Sequence, residues 1–132
     1  MTRQKILITG ASSGLGAGMA RQFAAKGRDL ALCARRLDNL EELKAELTAQ
    51  YPGVTVAIAA LDVNDHDQVP KVFAELSEEL GGIDCVIVNA GIGKGWPLGE
   101  GKPWANKATI ETNLVAGLVQ IETALEILPP LT

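Results

Sequence analysis

Four glycines, Gly10, Gly14, Gly16 and Gly18, crowd the end of the stretch LITGASSGLGAG at residues 7–18. Glycine inside a regular element costs about 0.5–1 kcal/mol relative to alanine, so such a cluster asks for a purpose. An apolar strand precedes it and an amphipathic helix follows, which is where an open parallel sheet takes up a nucleotide. A helix N-terminus offers unpaired N–H groups and about half a positive charge. A pyrophosphate can use both if the backbone approaches it closely. Side chains at Gly14 or Gly16 would block that approach, and Ser12 and Ser13 add hydroxyl donors. The spacing is T-G-x-x-x-G-x-G from Thr9 to Gly16. It is not G-x-G-x-x-G, because Met19 stands where a third glycine would fall, and not a P-loop, because no Gly-Lys-Ser/Thr follows. The alternative is a tight glycine turn with no ligand.

The elements around this turn repeat one rhythm of apolar strand, turn and amphipathic helix. Strands are expected over 5–9, 30–34 and 54–61, with a fourth strand and its exit over 85–91. Helical stripes fall at Leu15, Met19 and Phe23, then at Leu37, Leu40, Leu43 and Leu47, then at Val69, Val72, Phe73, Leu76 and Leu80. The last helix carries Ile110, Leu114, Leu118, Ile121, Leu125 and Leu128, and Pro129 and Pro130 stop it. Gly27 should close the first helix. Asp38 with Glu41 reads as a capping box for the second; Pro70 in the first turn of the third favours Asp67 over Asp65 as its cap, although either is chemically suitable. Strands so uniformly apolar need helices on both faces, hence a parallel sheet. Right-handed crossovers then make it α/β and doubly wound, of Rossmann type, with strand order 3-2-1-4 and the switch point between strands 1 and 4.

The chain resembles the short-chain dehydrogenases/reductases. The resemblance rests on TGASSGLG at 9–16, LDV at 61–63, NAG at 89–91 and TNL at 112–114, in the order and at the structural positions that family expects. It implies an oxidoreductase that moves a hydride between a nicotinamide cofactor and a small-molecule carbonyl or alcohol. The cradle would be Gly10, Ser12, Ser13, Gly14, Leu15 and Gly16. The resemblance has Asp62 contact the adenine amino group and Val63 pack on the ring; a turn or cap aspartate is the other reading of Asp62. It has Asn89 tie the central strands, while Ala90 and Gly91 let the ribose approach; Asn89 also reads as an ordinary polar strand end.

The tip of strand 2 tells NADP(H) from NAD(H). An NAD site presents a carboxylate there to the ribose 2′-hydroxyl. Here the tip reads CARR, with Arg35 and Arg36 and no acid. A guanidinium grips a 2′-phosphate with paired hydrogen bonds, where a carboxylate would repel it. NADP(H) is the expectation, and the resemblance points the same way. The alternative is two solvated arginines, or pairs with Glu41 and Glu42.

The catalytic set is represented by one residue. The resemblance implies a serine, a Tyr-x-x-x-Lys pair as proton donor, and an asparagine in the preceding helix that supports a proton relay. Asn113 in ETNLVAG matches the asparagine; a solvated polar residue is its plainer reading. The single tyrosine is Tyr51, followed four residues later by Thr55 rather than lysine. His66 reads as a surface residue. Trp96 and Trp104 in the glycine-rich loop either pack that loop or face an apolar substrate. The 132 residues therefore read as a single domain, 1–132, the cofactor-binding first half of such an enzyme. A non-catalytic NADP-binding module or an inactive fragment is the competing reading.

The bulk numbers agree. A hydrophobic fraction of 47% with 21% charged residues suits one soluble domain. A net charge of −4 argues against a non-specific nucleic-acid binder. No apolar run approaches the ~20 residues that span a bilayer, and the N-terminal apolar run is too short for a signal-peptide core, so a cytoplasmic location is expected. Cys33 and Cys85 share no Cys-x-x-Cys spacing and read as buried thiols, with a disulfide or a metal pair as the alternative; no metal site is expected. The fourth strand would lie at an exposed edge, which invites pairing with another chain, so a homo-oligomer is expected.

Overall fold

The structure, a computed structural model, describes residues 4–12, 14–89, 104, 107–108 and 111–129. Its strands are β1 (Lys5–Thr9), β2 (Asp29–Ala34), β3 (Val56–Ala60) and β4 (Cys85–Ile87). The helices between them are α1 (Gly14–Ala25), α2 (Leu37–Gln50) and α3 (Gln68–Leu80). A π-helical turn, Glu111–Val115, then leads into α4 (Ala116–Ile127). The sheet has the order β3-β2-β1-β4, and its pairings are parallel. Central β1 places Leu7 opposite Ala31 of β2 and Val86 of β4.

Two apolar layers follow from the alternation of strand side chains. Ile6 and Ile8 face α1 and α2, meeting Ala17, Ala20, Leu40, Leu43 and Leu47. Leu7, Ala31, Cys33 and Ala57 face the other way, toward α3 and the start of α4 at Ala116. Phe73, fully buried, is the largest side chain of that second layer. Helices thus cover both faces, as a fully apolar parallel sheet requires.

Helix ends and faces differ from the sequence expectations in informative ways. At the end of α1, Arg28 N–H donates to the Phe23 carbonyl and Gly27 N–H to that of Ala24, the bond pair of a Schellman motif. The same pair closes α3 at Gly81 and Gly82. The Asp38–Glu41 capping box does not form. Helix α2 begins one residue before Asp38, so Arg36 is its N-cap and no side chain caps it. Asp67 is the N-cap of α3 as expected, again with no side-chain hydrogen bond.

The expected stripe of α1 is only half right. Leu15 is 72% exposed, Met19 and Phe23 are partly buried, and the sheet instead meets Gly16, Ala17, Ala20 and Ala24. Helix α4 turns most of its stripe outward, although Leu128 packs partly buried on the second layer and Ile110 lies outside the described residues. Leu118, Ile121 and Leu125 are exposed, as is Leu114 in the π-helical turn, whereas Ala116, Gly117, Gln120, Thr123 and Ala124 are buried. The buried polar residues bond back onto their own helix: Gln120 Nε2 donates to the Ala116 carbonyl and Thr123 Oγ1 to that of Val119.

Candidate functional site

The sequence ends β1 with a threonine, and that residue organises the crevice beyond the sheet. Thr9 is completely buried. Its Oγ1 accepts the backbone N–H of Asn89 at 2.9 Å, which ties the exit of β4 to the end of β1. The Asn89 side chain then reaches the glycine turn, where Nδ2 donates to the Gly10 carbonyl at 3.2 Å. Asn89 is thus a tie between the central strands rather than a plain strand end. Sequence reading gives Asn89 a role but places Thr9 only at the head of the glycine motif, where its signals are that position and a hydroxyl closing an otherwise aliphatic strand. On the other side, Ala11 N–H donates to the Cys33 carbonyl, so the turn is anchored to β2 as well.

The two glycines at the heart of the turn are needed for different reasons. Gly14 opens α1 at φ +58°, a left-handed conformation, and a Cβ there would meet nothing within 4 Å. The space beside it is open. A Cβ on Gly16 would lie 2.3 Å from the Gly10 carbonyl oxygen and 2.8 Å from Asn89 Nδ2. Gly16 is bare so that α1 can press against the turn, a reason internal to the fold.

Around the turn the other expected residues take their places. Leu15, at the start of α1, holds a large apolar side chain out to solvent. Ser12 is half-buried and shares a shallow groove of about 130 Å³ with Arg21 of α1 and Asn39 and Glu46 of α2. Arg21 grips Glu46 across that groove, Nε to Oε2 at 2.7 Å and Nη2 to Oε1 at 3.2 Å. The hydrogen bond raises the arginine's pKa and holds the glutamate below the usual carboxylate range.

Arg35 and Arg36 are exposed beyond the tip of β2. Arg36 Nη2 lies 3.6 Å from Asp38 Oδ2. Past β3, Leu61 N–H bonds to the Ala34 carbonyl, and Asp62 Oδ1 accepts the Asn64 N–H at 2.9 Å while its side chain stays exposed. Asp62 is thus a turn aspartate whatever else it does. Val63 is 7% exposed and belongs to the α3 layer. Asn113 is exposed in the π-helical turn, a helix irregularity that often accompanies functional sites. Ser13, Ala90, Gly91 and Trp96 lie outside the described residues. Trp104 is 61% exposed.

The remaining candidates stand apart from the crevice. Tyr51 closes α2 and packs on the first apolar layer. Cys33 and Cys85 are free thiols, and burial pushes the Cys33 thiol up to about 12, which makes it a neutral hydrophobe. Among the described residues, no group of His, Cys, Asp and Glu is arranged to hold a metal. No helix there is long and apolar enough to cross a membrane.

This arrangement is shared with known proteins. An uncharacterized oxidoreductase of Mycobacterium tuberculosis is 79% identical over 126 residues, which are 96% of this chain and 50% of that protein. The crystal structure of an alcohol dehydrogenase from the archaeon Thermococcus sibiricus, complexed with 5-hydroxy-NADP, superposes with a TM-score of 0.88 at 35% identity. The match covers 96% of this chain and 53% of that one. Levodione reductase gives a TM-score of 0.88 at 33% identity, over 96% of this chain and 50% of its own. The chain spans about half the length of these relatives. The family model described as short chain dehydrogenase matches residues 4–129, and the chain belongs to that family of oxidoreductases.

Proposed function

We propose that the chain is the NADP(H)-binding half of an oxidoreductase that reduces a carbonyl or oxidises an alcohol on a small-molecule substrate. The observation that carries this reading is the glycine turn at the switch point. It is pinned to β1 and β4 through Thr9 and Asn89 and left open beside Gly14. The residues fit a dinucleotide. Gly10, Ser12, Ser13 and Gly14 would hold the pyrophosphate at the start of α1, with Gly16 seating the helix behind them and Leu15 offering an apolar face. Asp62 and Val63 would border the adenine, and Asn89, Ala90 and Gly91 the ribose. Arg35 and Arg36, exposed at the tip of β2 with no acid at that tip, favour the 2′-phosphate of NADP(H) over NAD(H).

When bound, the cofactor supplies the hydride chemistry. This chain's part is to bind and orient it, with Asn113 supporting proton movement in the π-helical turn. The proton donor is another matter, since no Tyr-x-x-x-Lys occurs in the 132 residues. The two free thiols suit the reducing cytoplasm. The exposed row on α4 supports self-association into a homo-oligomer.

Nucleotide fluorescence tests the central claim. Titration of the chain with NADPH should saturate, and NADH should bind at least about tenfold more weakly, the discrimination expected of charge-assisted bonds to a phosphate. Absence of saturable binding in a sample folded by circular dichroism would refute it. Turnover of generic ketones by the chain would rule out both the non-catalytic module and the inactive fragment.

A further inference from the structure

The start of α2, just past the tip of β2, holds an anion of its own. Arg36 is the N-cap of α2, and no side chain caps the helix's first N–H groups. Asp38 is the acidic residue of that first turn, and its Oδ2 stands 3.6 Å from Arg36 Nη2. Both side chains are mostly in water, 72% and 67% exposed, so the pair is weak and open to exchange.

We infer that Asp38 acts as an internal competitor for the phosphate that Arg36 would bind, and thereby tunes the chain's preference for a 2′-phosphorylated nucleotide. The inference rests on the proposed role of Arg36. A carboxylate two residues along the same helix start pairs weakly with the guanidinium at 3.6 Å. An arriving phosphate must displace it from the guanidinium. The phosphate carries more charge and more acceptor oxygens than the carboxylate, so it wins the guanidinium, but against a standing opponent. Asp38 is thus a specificity-tuning residue that acts through Arg36, and it should have no effect on a nucleotide without the 2′-phosphate.

Calorimetric titration with 2′,5′-ADP and 5′-AMP separates the possibilities. Asp38→Asn should bind 2′,5′-ADP about twofold to fivefold more tightly than the parent chain, with 5′-AMP unchanged. The gain should shrink as salt is raised beyond physiological strength, because both groups are exposed. It should vanish in the Arg36→Gln background. An unchanged or weaker affinity for 2′,5′-ADP in Asp38→Asn, or an equal gain for both probes, overturns the inference. Arg36→Gln alone tests the underlying reading. If it leaves the discrimination between the two probes intact, the 2′-phosphate is not read at Arg36, and that reading fails. Circular dichroism of each variant reports that α2 is retained.

Discussion

Gly14 and Gly16 stand in one turn, yet a side chain would do different damage at each. At Gly16 an added Cβ meets backbone, the Gly10 carbonyl oxygen at 2.3 Å, and backbone cannot swing aside. Gly16→Ala should therefore cost about 1–3 kcal/mol in chemical denaturation, the usual range for overpacking. At Gly14 the obstacle is φ +58° rather than space. Asparagine tolerates that conformation better than most residues. Gly14→Asn should keep most of the parent's stability, within about 1 kcal/mol, and lose nucleotide binding because its side chain fills the open volume. Equal loss of stability in the two variants, or NADPH binding retained by Gly14→Asn, would contradict this division of labour. Thr9 belongs to the same machinery. Its hydroxyl meets a partly buried N–H that valine could not satisfy.

At the scale of elements, α4 is where the sequence and the fold part company, and the reason is physical. Reading a helix by its large apolar residues assumes that these point at the sheet. The assumption holds for α3, whose five-residue stripe is buried throughout. It holds only in part for α1, where Met19 and Phe23 pack partly buried beside Ala17, Ala20 and Ala24 while Leu15 is exposed, and it fails along most of α4, where the row is turned outward. The strand order, by contrast, was legible, because fully apolar strands joined by helices leave few arrangements. So was the glycine turn, because its position between strand and helix carries the meaning. Asn89 as a tie between the central strands was legible only through the resemblance, and its partner Thr9 was not, since a contact across 80 residues has no local signature. The outward row has spacings of 4, 3 and 4 at Leu114, Leu118, Ile121 and Leu125, which is the a/d pattern of a helix that packs on another helix. Sedimentation of the parent chain should show association. Leu118→Gln with Leu125→Gln should shift it toward monomer at little cost in thermal stability, since both side chains are exposed already. A parent chain monomeric at high concentration would refute the proposed oligomer.

For the molecule as a whole, stability should run in a gradient across the sheet, with the site on its slope. β1 pairs on both sides and is buried from Ile6 to Thr9, and β2 is buried along its whole length. β4 is three residues long, pairs only with β1 among the described residues, and is half-buried throughout. Its further hold on the sheet runs through Asp84, whose Oδ2 and N–H bond the backbone of Lys5, and through Asn89 on Thr9. Hydrogen exchange should therefore find the amides of Leu30–Cys33 opening only with global unfolding and those of Val86 and Ile87 opening sooner. A ligand that bridges the turn after β1 and the exit of β4 must flatten that gradient, because it binds only where both strands are in place. At NADPH a hundredfold above its dissociation constant the added stability is about 2.7 kcal/mol. That protection should appear first at β4 and in the turn at Gly10–Gly16. Protection that rises equally everywhere, or at β2 alone, would place the nucleotide away from the switch point.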